Sequence, residues 1–303
     1  MKKALLKAAE SNTYVETIGN KADTLHYHIN KNYEETLMKE YQRFLEKIIK
    51  KQRLGVVTLV GDITSDNFYG KVDGLHISPW TGEKGIKGKF NFLVLGVMFR
   101  NKIYPFYVKI LRIGSFKAKY LGEAIELCRK MNLRIKTILL DRGFYSGDVI
   151  DTFNFHKINY LIFVPKKELF KSMLASTDKS VSIWHEIPYS KNKSRYRAET
   201  QIALVKNVRE YDWIFATNIS FIKKEKYVWL YMKRWNIETM FRVHDEAKIK
   251  TKSKNPVIRL FYFMMSMFLL FLWNLTLKFE VPFKKFIIDI NEVLRKEVNY
   301  FIC

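Results

Sequence analysis

The spacing of apolar residues changes along this chain and divides it into helical and strand-rich parts. Residues 1–50 carry apolar side chains at helical intervals, most regularly over 34–50, and predict a small N-terminal helical domain. Residues 54–60, 90–99 and 103–111 are short apolar runs rich in β-branched and aromatic residues. They predict three strands of an antiparallel meander.

The next segment alternates helical and strand-like patterns. Residues 115–132 and 147–156 have the apolar spacing of helices, and short apolar runs at 137–140 and 159–164 predict strands. Three strands followed by helix, strand, helix and strand is the element order of the RNase H-like fold. For residues 51–165 we therefore predict the first part of an α/β, RNase H-like core, with a mixed sheet and flanking helices.

The rest of the chain predicts further strands and a helical end. Residues 166–226 show strand-like alternation and predict a β-rich insertion. Residues 227–303 are expected to complete the core with helices, beginning with one long helix over 227–254. Residues 260–277 are free of charged side chains and long enough to span a membrane. Because polar residues interrupt this run, we prefer a helix buried in the core.

Charge narrows the possible partners. The 303 residues include 53 lysines and arginines and 30 acidic residues, which gives a net charge of +23 and a pI of about 9.8. Such a field favours a polyanion, namely DNA, RNA or an acidic membrane. The positive charge is spread over the body of the chain, which suits a protein that binds a long duplex. We expect double-stranded DNA as the partner, and neither a membrane nor a small-molecule cofactor.

Cysteine content and the N-terminus bear on the cellular compartment. With only Cys128 and Cys303, a disulfide framework is implausible, and no cysteine–histidine spacing matches a zinc site. The N-terminus is charged from Lys2 and lacks the apolar core of a signal peptide. We therefore expect a cytoplasmic protein.

The predicted helix over 227–254 carries an unusual group of side chains. At about 100° per residue, four of them lie within about 60° of one another: Tyr231, Arg234, Glu238 and Arg242. Because Arg234–Glu238 and Glu238–Arg242 are both i,i+4 pairs, one interpretation is a solvated ladder of ion pairs. The other is a functional carboxylate held between two arginines.

Two aspartates follow apolar runs that predict strands. Asp62 comes at the predicted end of the first strand, where a buried charge is costly unless a cation meets it. Asp66 and Asp73 are its rivals, and an ordinary turn aspartate is the alternative. Asp141 follows the run at 137–140 and opens a glycine-containing turn before a helix, a connection where functional carboxylates are common.

Three motifs resemble those of a known family. Tyr231-x2-Arg234-x3-Glu238 resembles the Tyr-Arg-Glu-Lys signature of DDE transposases from bacterial and archaeal insertion sequences, and the wider run resembles the archaeal members. The pattern Asp-x-Thr-x4-Tyr-Gly that begins at Asp62 resembles the family's first-aspartate motif and selects this residue over its rivals. The hexapeptide Asp-Arg-Gly-Phe-Tyr-Ser that begins at Asp141 resembles the second.

The resemblance implies a reaction and its ligands. Asp62, Asp141 and Glu238 would hold two Mg²⁺ or Mn²⁺ ions, because such ions prefer oxygen ligands and support phosphodiester displacement. Water would release a 3′-OH at the element end, and this 3′-OH would then attack target DNA. A homodimer is expected because related enzymes pair two ends.

The resemblance also implies residues that contact DNA. The phosphates of the element end would be held by Tyr231, Arg234 and Arg242, since arginine is suited to bidentate phosphate contact. Arg142 and Lys248 are further candidates.

One position departs from the family pattern. The family's lysine, seven residues after the glutamate, is Asp245 here, and Lys248 and Lys250 are the candidate substitutes. Asp245 would bring negative charge where the family attracts phosphate. The departure keeps two alternatives open: an enzyme that only nicks or hydrolyses DNA, and a DNA-binding relative without catalytic activity.

The N-terminal helices offer a second DNA-binding prediction. A short helix, a turn and another short helix within residues 1–50 are the outline of a helix-turn-helix, in which Lys21, Thr24 and His28 would contact a groove. A structural helical cap is the alternative, and the near-neutral charge of this region argues against it as the main phosphate binder. Its likeness to the N-terminal region of archaeal insertion-sequence transposases favours DNA binding.

Overall fold

The structure is a computed structural model that describes the backbone of residues 2–19, 22–52, 54–99, 102–276 and 281–300, and the side chains of residues 4–293 within these ranges. The described helices are α1 (Lys2–Glu10), α2 (Ala22–Asn30), α3 (Glu34–Gln52), α4 (Lys117–Lys130), α5 (Gly147–His156), α6 (Glu168–Ala175), α7 (Glu225–Met232), α8 (Trp235–Glu246), α9 (Pro256–Leu275) and α10 (Phe283–Tyr300). The described strands are β1 (Val56–Phe68), β2 (Ile77–Pro79), β3 (Gly88–Phe99), β4 (Lys102–Ile110), β5 (Arg134–Leu140), β6 (Tyr160–Phe163), β7 (Val181–Lys191), β8 (Ser194–Val208) and β9 (Tyr211–Thr217).

One mixed sheet of nine strands runs through the described part of the chain. Its main order is β2-β3-β1-β5-β6-β9-β8-β7, and β4 pairs with the half of β3 that β2 leaves free. β1, β5 and β6 are parallel, whereas β3 and β4 form an antiparallel meander beside β1. Helices flank the sheet, with α9 against β4 and α5 against β8. The predicted α/β fold with a mixed sheet and flanking helices is confirmed.

The first strand is longer than predicted. Its predicted end at Asp62 is wrong, because β3 pairs with β1 as far as Phe68 opposite Gly88. The polar residues after Asp62 resemble a turn, but pairing with the apolar β3 keeps them extended. The parallel partner β5 is shorter and ends at Leu140, opposite Gly61. Asp62 is therefore a mid-strand residue, paired with β3 on one side and lying beyond the end of β5 on the other.

The predicted β-rich insertion over residues 166–226 contains α6 and the strands β7, β8 and β9. These strands join the central sheet: β9 pairs antiparallel with β6, β8 with β9, and β7 with β8. Because the chain leaves β9 and soon enters α7, the insertion lies directly beside the helices that carry Tyr231 and Glu238.

The predicted continuous helix over residues 227–254 is wrong. α7 ends at Met232 and α8 begins at Trp235. In the turn between them, the Arg234 N–H donates to the Tyr231 carbonyl over 2.8 Å, an i to i−3 bond that tightens the backbone. The turn separates the two halves of the predicted helix face.

Beyond Glu246 the chain is extended, so Lys248 and Lys250 do not lie on a helix. The backbone of Lys250 pairs with the N-terminal segment instead, where the Val15 N–H donates to its carbonyl over 2.9 Å. The helical pattern of the sequence could not reveal this, because the two segments come from opposite ends of the chain.

The apolar run at 260–277 forms most of α9; residue 277 lies outside the described residues. Asn255 caps this helix by accepting hydrogen bonds from the first turn. The ring of Phe263 stacks on Phe92 of the sheet at 4.0 Å, and the Asn274 amide donates to a β4 carbonyl. Among the described helices, α9 alone has the length and apolar composition to cross a membrane, and 61% of its most apolar window is buried within the fold.

Candidate active site

Asp62 within β1 and Asp141 just after β5 lie side by side on two neighbouring parallel strands. Gly61 pairs with Leu140, so the residues that follow them are adjacent at the end of β5. A Cβ on Gly61 would lie 2.5 Å from the end of the Leu95 side chain and 2.6 Å from that of Leu140, so a larger residue here would force both leucine side chains to move. The pairing of β1 with β5 sets the separation of the two aspartates.

The turn after β5 orients the Asp141 carboxylate. Asp141 precedes a 3-10 helix, Arg142–Phe144, and its side chain accepts the N–H of Gly143. On the other side of this turn, the Lys117 ammonium donates to the Gly143 carbonyl over 2.6 Å. Lys117 was not predicted, because its only signal in the sequence is a basic residue at the start of a helix, which does not indicate a contact with the turn of Asp141.

Arg234 links Asp62 on β1 to Glu238 on α8. Its Nη1 lies 3.0 Å from Asp62 Oδ2, and its Nη2 pairs with Glu238 Oε1. Arg234 is 5% exposed, and its guanidinium lies 5.3 Å from the ring of the buried Tyr231. The Glu238 side chain is 57% exposed. One buried cation thus holds together two of the three predicted carboxylates.

The pKa of Asp62 depends on its burial and on the charges around it. Burial raises this pKa above its ordinary value, while the Arg234 guanidinium and the Ile63 N–H oppose the rise. The carboxylates of Asp141 and Glu238 raise it further. Asp141 and Glu238 therefore both lie close enough to Asp62 to influence its pKa.

Divalent cations fit the chemistry of these side chains but not their present arrangement. Three carboxylates supply the hard oxygen ligands that Mg²⁺ and Mn²⁺ prefer. In this structure, however, Arg234 lies between Asp62 and Glu238. Among the described residues, no three acidic, histidine or cysteine side chains form a group that could hold a metal ion.

A cavity of about 540 Å³ opens beside Arg234. Asp141 and Arg234 contribute to its wall, and the rest is mainly aromatic and basic: Arg142, Arg209, Tyr211, Trp213, Tyr231 and Trp235. Trp213 is 8% exposed and packs against Phe163 and Tyr231, so it belongs to the core. Arg142, by contrast, is exposed. The cavity thus offers basic side chains on a rigid aromatic floor.

The other predicted DNA contacts lie in different surroundings. Arg242 is exposed on α8, one turn after Glu238. Thr24 and His28 are exposed on α2, which packs on α9 and buries its Leu25 and Ile29. Lys21 lies outside the described residues.

Lys248 belongs to a separate ionic group. Its ammonium pairs with Asp66 on β1 and lies 3.5 Å from Asp245. Burial acts to lower the pKa of Lys248, but the two carboxylates outweigh it and raise this pKa. The side chains of Lys248 and Asp66 are 12% and 15% exposed. The structure therefore ties Lys248 to the strand and to the residue that stands at the family's lysine position.

A mixed RNase H-like sheet that presents clustered carboxylates defines a class of nucleic-acid-processing enzymes. The family described as "Transposase DDE domain" matches residues 117–272, more than half of the chain, and the chain belongs to this family. The matched range includes Asp141, Arg234 and Glu238 and begins after Asp62. Members of the family generally use divalent metal ions.

A solved structure shares the fold. A piggyBac transposase synaptic complex with hairpin DNA, determined by cryo-EM, matches with a TM-score of 0.52 and 13% sequence identity. The match covers 80% of this chain and 54% of the other, so the present chain spans about half the length of that transposase chain. The likeness concerns the fold, an RNase H-like mixed sheet with flanking helices. The search of curated proteins finds no match.

Proposed function

We propose that this chain is a DNA transposase that hydrolyses phosphodiester bonds at the ends of its element and joins the freed 3′-OH to target DNA. The observation that supports the proposal is that Asp62 and Asp141 lie on adjacent strands and that Arg234 pairs with both Asp62 and Glu238. Membership of the transposase family supports it. We further propose that the chain belongs to the archaeal-type members with the Tyr-Arg-Glu-Lys signature.

Double-stranded DNA is the proposed partner, both as element ends and as target. The net charge of +23 supports this, and so does the similar transposase, whose structure contains hairpin DNA. Tyr231, Arg234, Arg142 and Arg242 are the proposed phosphate contacts near the carboxylates. We also propose that two copies of the chain act together on DNA, in the cytoplasm.

Backbone N–H groups hold two of the three proposed catalytic carboxylates in place. The Ile63 N–H fixes the Asp62 carboxylate at 2.8 Å, and the Gly143 N–H fixes that of Asp141. Glu238 projects from α8 toward solvent and is the most accessible of the three. We propose Mg²⁺ or Mn²⁺, two ions, as the cofactor, because withdrawal of Arg234 would leave a donor set of carboxylate oxygens alone.

A second candidate function is DNA binding without catalysis. It is favoured by one observation: Asp245 stands at the family's lysine position, and Lys248 is committed to an ionic group with Asp66. In that case the carboxylates would have only a structural role, and DNA binding would persist without cleavage.

A cleavage assay tests the two candidates against each other. The purified chain is incubated with DNA that carries its flanking element ends, with Mg²⁺, with Mn²⁺ or with chelator. Asp62→Asn, Asp141→Asn and Glu238→Gln are compared with Asp73→Asn, a control in an exposed ion pair with Lys254. We expect metal-dependent cleavage at the element boundary, followed by strand transfer, in the wild type and the control only.

Two results would redirect the proposal. Binding without cleavage under every metal would favour the non-catalytic candidate. Cleavage without strand transfer would mean an enzyme that only nicks or hydrolyses DNA.

A further inference from the structure

We propose that Arg234 is a latch that occupies Asp62 and Glu238 in the DNA-free protein, and that DNA phosphates withdraw it, so that DNA binding and metal binding strengthen each other. The proposal deepens the proposed function and rests on it. It assigns to Arg234 a role in the free protein that precedes any contact with DNA.

The latch is seen in the contacts of one guanidinium. Nη1 bonds to Asp62 at 3.0 Å, Nη2 pairs with Glu238, and the residue is 5% exposed. A single positive charge therefore stands where the two carboxylates would otherwise repel each other. A metal ion that needs both carboxylates must compete with a cation already in place.

The latch is incompletely satisfied, which favours its release. Arg234 Nε is buried and has no hydrogen-bond partner among the described residues. An unpaired buried N–H is unfavourable, so the latched position does not use all five donors of the guanidinium. A ligand that offers several oxygens at once could satisfy them better.

The cavity beside the latch provides a place for such a ligand. Arg234 forms part of its wall, together with the exposed Arg142 and with Arg209. Three guanidinium groups around one cavity favour a phosphate, and arginine binds phosphate through paired N–H groups. A phosphate held there would draw the Arg234 guanidinium away from Asp62 and Glu238 and leave both carboxylates free.

The backbone at Arg234 is a turn rather than a regular helix. Arg234 stands between α7 and α8, with i to i−3 hydrogen bonds on both sides of it. The Arg234 side chain contacts Asp62 and Glu238 and also forms part of the cavity wall. Rotation about its side-chain bonds would therefore be enough to move the guanidinium from the carboxylates toward the cavity.

Linkage gives the proposal a measurable form. If DNA removes the latch, DNA must raise the affinity for metal by the same factor by which metal raises the affinity for DNA. Coupling between sites commonly amounts to about 5- to 150-fold, and we expect about tenfold or more here. Without Arg234, the free protein should bind metal tightly and the coupling should vanish.

The test measures Mn²⁺ binding by electron paramagnetic resonance on the full chain, with and without a duplex oligonucleotide of arbitrary sequence. The variants are Arg234→Met and Arg234→Lys, with the exposed neighbour Lys233→Met as matched control. We expect wild type and Lys233→Met to bind Mn²⁺ about tenfold more tightly with DNA. Arg234→Met should bind as tightly without DNA as the wild type does with it.

Several outcomes overturn the latch. It is wrong if Arg234→Met binds Mn²⁺ no better than the wild type in the absence of DNA, or if the coupling persists in that variant. If Arg234→Met does not fold, as judged by circular dichroism, Arg234→Lys decides. A lysine side chain is shorter than that of arginine and lacks its paired N–H groups, so it should hold Asp62 and Glu238 less well. Wild-type Mn²⁺ affinity and coupling in Arg234→Lys would therefore also overturn the proposal.

The result is separable from the proposed function because no cleavage is measured. Coupling without cleavage in the assay above would leave the latch standing and remove the transposase proposal. Cleavage that depends on the three carboxylates, combined with no coupling, would do the opposite.

Discussion

Two ionic groups join β1 to the chain around α8, and they differ in what they leave available. In one, Arg234 lies between Asp62 and Glu238. In the other, Lys248 lies between Asp66 and Asp245. Each places one cation between two carboxylates.

The two groups share several features and differ in their cations. Each lines a cavity and has one exposed carboxylate, Glu238 or Asp245. Arg234 shares its cavity with Arg142 and Arg209, and its Nε has no hydrogen-bond partner among the described residues. In the Lys248 group, Arg259 stands 4.0 Å behind Asp66 and is itself 5% exposed. We therefore expect the Lys248 group to serve stability, because two cations hold Asp66, and the Arg234 group to serve the reaction, because one cation lies between its carboxylates.

The largest expected effect separates the two aspartates of β1. Asp62→Asn should reduce cleavage by about 10²–10³-fold, the usual cost of removing one electrostatic group from an active site. Asp66→Asn, assayed below its unfolding temperature, should retain cleavage. Cleavage rates on element-end DNA measure both. Equal loss in the two variants would mean that the groups are not functionally distinct.

The next effect concerns stability. Lys248→Met should lower the free energy of unfolding by about 3–5 kcal/mol, because it leaves the buried Asp66 carboxylate without its main partner. Denaturant unfolding followed by circular dichroism measures this change, with Lys248→Arg as the charge-preserving control. If Lys248→Met loses well under about 1 kcal/mol, the ion pair of Lys248 with Asp66 does not stabilise the fold as expected.

A backbone contact supplies a smaller test. Gly61→Ala should cost about 1–3 kcal/mol through overpacking, because the new Cβ meets the buried side chains of Leu95 and Leu140. Since Asp62 follows directly, cleavage should fall as well, while the Asp66 group stays intact. Thermal unfolding and the cleavage assay report the two effects. Unchanged stability with wild-type activity would show that the strands can separate at no cost.

The smallest effect is a pH dependence. The pKa of Asp62 is raised from its ordinary value of 3.8, so the folded protein binds this proton more tightly than the unfolded chain does. Stability should therefore fall as pH rises from about 3.8 through the folded-state pKa, and Asp62→Asn should lack this contribution. Unfolding midpoints of the wild type and Asp62→Asn, determined at several pH values between about 4 and 7, measure this contribution. If the wild type instead becomes more stable relative to Asp62→Asn as the pH rises, the expected pH dependence is wrong.

Local patterns predicted a good part of the fold. The helix over 147–156 has the bounds of α5, and the meander and the parallel strands before and after it are present. The sequence also placed Asp62 on the first strand and Asp141 just after the strand now called β5, and the pairing of these two strands makes the aspartates adjacent. These features depend on residues close in sequence, whose periodicity shows which face is buried.

The sequence by itself thus determined the class of fold, the positive field and the three carboxylates as candidates. Tertiary structure alone decided the rest: β1 continues past Asp62 because β3 pairs with it, and the helix face that begins at Tyr231 is broken at Arg234. It also decided that Arg234 and Lys248 take their carboxylates from β1, more than 100 residues away in the chain. The physical reason is that a charge is paired by whichever partner folding brings within reach, and the spacing of residues along a helix cannot name that partner.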